Sequence, residues 1–204
     1  MEKINDYLPI LAGVCVSIIF GFSFLFTKEA LETLQPFHLL GFRFAFAAII
    51  LTTVNYLGLI NINLKEKNVY VLLILAFFQP VTYFIFETMG LKIISSSEAG
   101  ILIALKPIVV AILASIFLNE IPRKKELFFI TLSVIGVIFI FFMKGNLNLQ
   151  GQSLGMFIFL GAVFSTGIFN ILSRKFSLEF KPIEITYVMM WLGAIIFNLV
   201  SIIK

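Results

Sequence analysis

The 204-residue sequence has few of the side chains on which enzyme chemistry depends. It contains one cysteine (Cys15), one histidine (His38) and one aspartate (Asp6). One thiol cannot form an internal disulfide bond, and this set of residues cannot build a zinc or iron site. A Ser–His–Asp triad is disfavoured too, because Asp6 precedes the first apolar segment and His38 follows it in a short turn. We therefore expect no enzymatic activity, no cofactor and no bound metal.

Charge is also scarce, since 13% of the residues are charged whereas 60% are hydrophobic. A soluble domain carries charge over its whole surface, so this balance indicates that lipid is the solvent. The formal net charge of +4 does not indicate a nucleic-acid partner, because the cations are scattered in short loops and form no basic face. The lipid bilayer is the partner that the composition predicts.

Seven apolar segments follow one another along the chain, at 8–27, 36–57, 69–91, 96–118, 127–143, 154–172 and 183–203. The first has no small-residue cleavage site and is long enough to cross a hydrocarbon core of about 30 Å. Helices satisfy their backbone polar groups locally in lipid, and the alternating pattern of a barrel strand is absent. The sequence therefore predicts an all-α polytopic membrane protein of about seven transmembrane helices in one bundle.

The cations between these segments predict the orientation. Nine lie at the N-terminus or in the second, fourth and sixth loops: Lys3, Lys65, Lys67, Arg123, Lys124, Lys125, Arg174, Lys175 and Lys181. The other side has fewer, namely Lys28, Lys92, Lys144, Lys204 and Arg43 just inside the second segment. The positive-inside rule places the N-terminus in the cytoplasm of a multi-pass protein of the inner or plasma membrane.

An offset of 146 positions aligns the first two segments with the last two without a gap, placing Gly21 on Gly167, Lys28 on Arg174 and Pro36 on Pro182. Five segments separate the first from its copy, and five is odd. The copy must enter the membrane from the opposite face, which is the inverted-topology repeat of many transporters. We predict a first five-helix repeat at 1–148 and the first two helices of an incomplete second repeat at 149–204.

Small residues recur at helical spacing in the first segment, at Gly13, Ser17 and Gly21, and in the second, at Gly41 and Ala45. Such rows let helix backbones approach closely in membranes, so we expect both rows to pack against other helices.

One lysine is predicted to lie near the bilayer midplane. Lys106 is about ten residues into the fourth segment and directly precedes Pro107. An ionised group there is costly, and the proline frees a backbone carbonyl and predicts a kink. The pattern favours a cavity-facing Lys106 that meets an anionic group of a substrate. The alternative is a lysine that snorkels to the interface or pairs structurally with another helix.

The third segment carries a polar stripe, because Gln79, Tyr83 and Glu87 recur at intervals of four. Gln79 is expected at nearly the depth of Lys106. Glu87 is expected nearer the outer surface, at a depth similar to that of Arg43 in the second segment. An Arg43–Glu87 ion pair is one hypothesis, and the alternative is that both side chains simply reach the outer interface.

The residues that follow Tyr83 carry a family resemblance. The motif Leu105-Lys106-Pro107 and the closing Leu118-Asn119-Glu120 resemble the EamA-type repeat of the drug/metabolite transporter superfamily. Gly21-Phe22-Ser23 and Arg43-Phe44 resemble the first two helices of that repeat. The resemblance implies ten helices in two inverted five-helix repeats and secondary transport of amino acids, metabolites or drugs. This sequence departs from it at the end, since it contains seven predicted helices and lacks the second segment with Pro and Glu.

The resemblance implies a permease or exporter that works by alternating access around a midplane cavity. Its predicted substrate path comprises Gln79, Tyr83, Lys106 and Pro107, and its predicted outer ion pair or gate comprises Arg43 and Glu87. A small-molecule substrate is the implied partner, and a homo-oligomer is a further possibility. The alternatives are a non-transporting seven-helix receptor or assembly protein and, disfavoured by the missing catalytic groups, an intramembrane enzyme.

Overall fold

The computed structural model describes residues 2–64, 67–143, 149–176 and 179–203. In these ranges the chain forms nine α-helices and one π-helical segment, Phe77–Thr82, between the third and fourth helices. The helices are α1 (Glu2–Thr33), α2 (Pro36–Tyr56), α3 (Val69–Ala76), α4 (Tyr83–Ile93), α5 (Ser96–Ile103), α6 (Lys106–Phe117), α7 (Lys124–Met143), α8 (Leu149–Lys175) and α9 (Pro182–Ile203). No strand is found in the described ranges, which confirms the predicted all-α fold class.

Six of the predicted segments are helical over a length and composition that can cross a membrane. They are Ile10–Thr33, Pro36–Tyr56, Val69–Ile93, Ser96–Phe117, Ser153–Lys175 and Pro182–Ile203. The remaining predicted segment forms α7, a 20-residue helix that begins with charged side chains. At 1.5 Å per residue, 20 residues extend about 30 Å, which is close to the thickness of the hydrocarbon core. The chain is a multi-pass membrane protein.

Two predicted segments are single helices in the sequence pattern but interrupted helices in the structure. The third comprises α3, the π segment and α4, and the fourth comprises α5 and α6, separated at Ala104 and Leu105. The first helix differs in a simpler way, because it continues to Thr33 rather than ending at Thr27.

The core is centred on α8. A first cluster joins Phe159 and Val163 of α8 to Phe24 of α1 and Leu91 of α4, all nearly inaccessible. The second joins α2, α4 and α9, and the third joins α3 and α9. Van der Waals packing of this kind holds helices together in lipid, where the hydrophobic effect does not act between them.

The prediction for the small-residue row of α1 is wrong, whereas the close approach predicted at Gly41 of α2 is confirmed, since a Cβ added there would lie 2.8 Å from Oδ1 of Asn198. A Cβ added at Gly13 or Gly21 would meet nothing within 4 Å. The close approach occurs elsewhere: a Cβ at Gly90 of α4 would lie 2.9 Å from the Cβ of Phe159, and one at Gly155 of α8 would lie 2.7 Å from that of Ile93. The spacing shows that a helix has a face of small side chains, but only the tertiary structure shows whether another helix packs against that face.

The helices α2 and α9 form a long interface of two chain-distant segments. The side-chain amide of Asn198 donates to the carbonyl oxygen of Gly41 at 3.1 Å. Further along the interface, the hydroxyl of Thr52 lies 3.4 Å from that of Tyr187 and accepts from the indole N–H of Trp191 at 3.1 Å. These polar contacts set the register of the two helices.

The described connections lie at two ends of the bundle. We call the end with residues 57–64, 67–68, 118–123, 176 and 179–181 the loop face, and the end with residues 34–35 and 94–95 the turn face. At the loop face, Lys67 pairs with the fully buried carboxylate of Glu184, which also accepts from the backbone N–H of Lys181 at 2.9 Å.

Candidate functional site

The first interruption, in the π segment, exposes backbone groups to a neighbouring helix. Gln79 has non-helical angles (φ −143°, ψ 113°) and precedes a cis peptide bond to Pro80. The carbonyl oxygen of Phe78 accepts from the hydroxyl of Ser165 on α8 at 2.8 Å. Irregular backbone at membrane depth is tolerated where protein side chains satisfy its polar groups, as Ser165 does.

The second interruption, between α5 and α6, is the kink that Pro107 predicts. Leu105 N–H donates to the Leu102 carbonyl at 3.0 Å, and Ile108 N–H donates to the Leu105 carbonyl at 3.0 Å, so the chain tightens into i to i+3 bonding. Pro107 lies in the first turn of α6, where its missing N–H costs little. Lys106 therefore begins a new helix at the break.

A cavity of about 430 Å³ lies where the two interruptions meet. Its polar lining comes from Gln79 in the π segment, Tyr83 at the start of α4, Lys106 at the start of α6, and Ser17 and Thr166. Its apolar lining includes Phe20, Phe24 and Ile103. Discontinuous helices around a cavity are the usual construction of a substrate site in secondary transporters.

Three of the four predicted substrate-path residues thus share one cavity. Gln79, Tyr83 and Lys106 come from separate helical pieces and line the same space. Pro107 does not line it, and instead lies in a groove with Glu120 and Arg174 that extends toward the loop face. Successive residues on a helix are rotated by about 100°, and here Lys106 faces the cavity while Pro107 faces the groove. Pro107 shapes the site through the break in the backbone.

Lys106 is the one cation among the described residues that line the cavity. Its side chain is half-buried, and no carboxylate pairs with it in the part of the chain that the structure describes. An ammonium group at this depth requires an anion or dipoles to compensate its charge. Beside it, the side-chain oxygen of Gln79 lies 3.4 Å from the hydroxyl of Thr166.

The hypothesis of a direct Arg43–Glu87 ion pair is wrong in this conformation. The guanidinium of Arg43 contacts the hydroxyl of Ser23 at 3.2 Å and lies over the ring of Phe84 at 4.9 Å from its centroid. Glu87 instead accepts a long hydrogen bond from the hydroxyl of Tyr83, at 3.4 Å. The aromatic ring offers the cation a face in place of a carboxylate, and Phe84 lies three residues before Glu87 on the same face of α4. The role of Arg43 and Glu87 as a gate stays a prediction.

Sequence reasoning missed the contribution of α8. Ser165 and Thr166 are two adjacent buried hydroxyl residues in an otherwise apolar helix, and they contact the π segment through Phe78 and Gln79. Hydroxyls are common in membrane helices, where they bond their own backbone at no great cost. The only available signal was that the pair stands alone between 154 and 169. Among the described residues, no three His, Cys, Asp or Glu side chains lie close enough to hold a metal ion.

Comparison of the sequence with known families and proteins identifies the family of the chain. The sequence model of the EamA-like transporter family matches residues 7–142, which is more than half of the chain. The chain belongs to the EamA-like transporter family. This EamA-like chain is 37% identical over 205 residues to the uncharacterized transporter YcxC of Bacillus subtilis (strain 168), with all of this chain and 65% of that protein aligned.

More distant EamA-like relatives align with this chain over a similar share of their length. The uncharacterized transporter YoaV of Bacillus subtilis (strain 168) is 24% identical over 194 residues, covering 93% of this chain and 65% of its own length. An uncharacterized transporter of Archaeoglobus fulgidus is 29% identical over 175 residues, covering 86% of this chain and 60% of its own. The chain therefore spans slightly less than two thirds of the length of the curated relatives that it matches. No solved structure matches it significantly.

Proposed function

We propose that the protein is a secondary transporter that moves a small organic anion across the membrane by alternating access. The observation that carries this proposal is the cavity of about 430 Å³ in which Lys106 is the one cation of the described lining. Pockets of 300–1,000 Å³ suit metabolite-sized ligands. The Lys106 ammonium would receive the anionic group, the Gln79 amide would hydrogen-bond it, and Phe20 and Phe24 would hold an apolar body.

The interrupted helices provide the hinge that alternating access requires. Each break divides a membrane-crossing helix into two pieces, so one piece can tilt while the other keeps its packing. The pieces that bear Tyr83 and Lys106 both begin at a break. Movement of these pieces would open the cavity alternately to the two sides without dismantling the core around α8.

The proposed inverted repeat, with units at 1–148 and 149–204, is supported by the α2–α9 interface. The offset of 146 positions places Gly41 on Tyr187 and Thr52 on Asn198. The contact between Gly41 and Asn198 is thereby exchanged with the contact between Tyr187 and Thr52. A two-fold axis between α2 and α9 would produce this reciprocity. By the positive-inside rule we further propose that the N-terminus, and hence the loop face, is cytoplasmic.

The proposal is tested by transport in proteoliposomes that contain the complete protein. Three radiolabelled probes of different charge are compared: benzoate, L-leucine and tetraphenylphosphonium. Saturable uptake of benzoate above that of protein-free liposomes is the expected result. Uptake of tetraphenylphosphonium alone would contradict the assigned charge, and the absence of protein-dependent flux of all three would contradict the function.

The variant Lys106→Met tests the residue that carries the proposal. Methionine keeps most of the apolar volume and removes the charge, so we expect benzoate uptake at low concentration to fall about tenfold or more, as for the loss of a charged hydrogen bond of 1.5–3 kcal/mol. Lys92→Met is the matched control, because the side chain of Lys92 is exposed near the turn face, outside the cavity lining. Equal uptake by Lys106→Met and Lys92→Met would exclude Lys106 from the site.

A further inference from the structure

Glu87 is the buried carboxyl group that the proposed substrate site does not use. It lies in α4, one helical turn after Tyr83, and 1% of its surface is exposed. Its Oε1 accepts from the Tyr83 hydroxyl at 3.4 Å. Its Oε2 is inaccessible and has no hydrogen-bond partner within the part of the chain that the structure describes.

The contrast with the other buried carboxylates shows that this arrangement is unusual for this protein. Glu98 closes a capping box, accepting from the backbone N–H of Ser95 at 2.8 Å and from its hydroxyl at 3.0 Å. Glu184 accepts from Lys67 and from two backbone N–H groups. Both carboxylates are compensated as anions by the chain itself. Glu87 is not compensated in this way, although an ionised carboxylate at membrane depth is costly.

The position of Tyr83 connects Glu87 with the cavity. The Tyr83 side chain lines the cavity and its hydroxyl contacts the carboxyl group of Glu87. A phenol hydroxyl can donate its proton to one neighbour while it accepts a proton from another. Tyr83 therefore stands between the space where substrate would bind and an otherwise enclosed acid.

Among the described residues, Arg43 is the cation placed on the face of α4 that bears Glu87. Arg43, from α2, lies over the ring of Phe84, three residues before Glu87 on the same face of α4. On α1, Lys28 is bound to the carbonyls that end α4, at 2.7 Å from that of Leu91. On α5, Glu98 is held in its capping box. The π segment has no ionisable side chain, and α8 has none between 153 and 173.

We propose that Glu87 is the proton-carrying residue of the transport cycle, in exchange with the cavity through the hydroxyl of Tyr83. In the loading step, Tyr83 passes its proton to the Glu87 carboxylate and accepts one from water in the cavity. Glu87 thereby becomes a neutral acid, and one proton is taken up from the solution that has access to the cavity. The reverse step releases one proton after the access has changed. The inference rests on the proposed function, and it names the proton as the coupling ion.

Protonation has a direct consequence for the neighbouring cation. An ionised Glu87 would attract Arg43 and so add to the apolar packing of α2 on α4. When Glu87 is neutral, Arg43 keeps only Ser23 and the ring of Phe84. Uptake of a proton would thus loosen the contact between α2 and α4 at the turn-face end of the cavity, which links the proton to the access of the substrate.

The first experiment does not require a substrate. Infrared difference spectra of the complete protein in lipid, titrated from about pH 5 to pH 9, report the carbonyl stretch of each carboxyl group that takes up a proton. We expect one buried carboxyl band in the wild type, its loss in Glu87→Gln, and its retention in the matched control Glu184→Gln. A band that persists in Glu87→Gln, or a wild type without such a band, would overturn the proposal.

The second experiment measures coupling with benzoate as the probe. In proteoliposomes of wild type, we expect an imposed pH gradient to drive benzoate accumulation above that of protein-free liposomes. We expect Glu87→Gln to lose at least tenfold of this protein-dependent accumulation while it keeps protein-dependent benzoate exchange at equal pH. Accumulation that is unchanged in Glu87→Gln would overturn the role of Glu87. If neither the wild type nor any variant transports benzoate, the proposed anion transport fails, and the infrared titration still decides whether Glu87 exchanges a proton.

In Tyr83→Phe, the infrared band of Glu87 should persist and the exchange of its proton should slow.

Discussion

The ion pair between Lys67 and Glu184 allows a quantitative test of how the loop face is held together. Glu184 is fully buried, and Lys67 has 25% of its side chain exposed. Lys67→Met would leave a buried carboxylate with the backbone N–H groups of Lys181 at 2.9 Å and Asn63 at 3.3 Å. Loss of one partner of a buried pair costs 3–5 kcal/mol, and the two remaining donors reduce this to about 2–4 kcal/mol. The melting temperature of the purified protein should fall by about 5–15 °C.

Two further variants make the reasoning refutable. Arg174→Met removes another loop-face pair, Arg174 with Glu120 at 2.6 Å, but those side chains are 63% and 46% exposed. An exposed pair contributes about 0–1 kcal/mol, so this variant should melt within about 3 °C of the wild type. Adding Glu184→Gln to Lys67→Met should recover at least half of the loss, because a neutral amide needs no counter-charge. Equal melting temperatures for Lys67→Met and Arg174→Met would refute the argument that burial decides the difference.

Two other predictions concern packing and helix ends, and both use the same melting assay. Gly193→Val should destabilise the protein by about 2 kcal/mol or more, since a Cβ there would lie 2.6 Å from Cδ1 of the buried ring of Phe44. The control Gly13→Ala should have little effect on stability, because a Cβ there meets nothing within 4 Å. Lys28→Met should lower the free energy of unfolding by about 1–3 kcal/mol, because the Lys28 ammonium binds the carbonyl oxygens that end α4. Lys92→Met, at an exposed lysine, should leave the stability unchanged. Equal losses of stability in the two variants would show that the hydrogen bonds of Lys28 contribute nothing.

Much of the candidate site could be predicted from the sequence because charge in lipid is rare. Lys106 is conspicuous in an apolar segment, and Gln79 and Tyr83 share a face by their spacing alone. The cost of burying such groups requires a cavity or a partner, so each was a candidate without knowledge of the fold. The structure places all three around one space. The break at Pro107 was equally predictable, since a proline cannot donate the helical hydrogen bond.

The predictions that differ from the structure concern the direction in which a side chain points and the residue that it contacts. Arg43 and Glu87 match in depth, yet Arg43 lies over Phe84 and Glu87 contacts Tyr83, because depth does not determine which way two side chains point around their helices. Pro107, predicted in the substrate path beside Lys106, lines a neighbouring groove and not the cavity, because the rotation of about 100° between successive helical residues turns it to another side.

The sequence by itself determined that the chain is a helical membrane protein with several crossings, and which apolar segments carry ionisable groups. These properties follow from the solvent, because each apolar run must satisfy its own backbone in lipid. Only the tertiary structure decided which helix supplies the partners. Ser165 and Thr166 of α8 bond the interrupted segment around Gln79, about 87 positions earlier in the chain. Such contacts depend on how the helices are rotated and staggered against one another, and no local pattern of apolar residues records that.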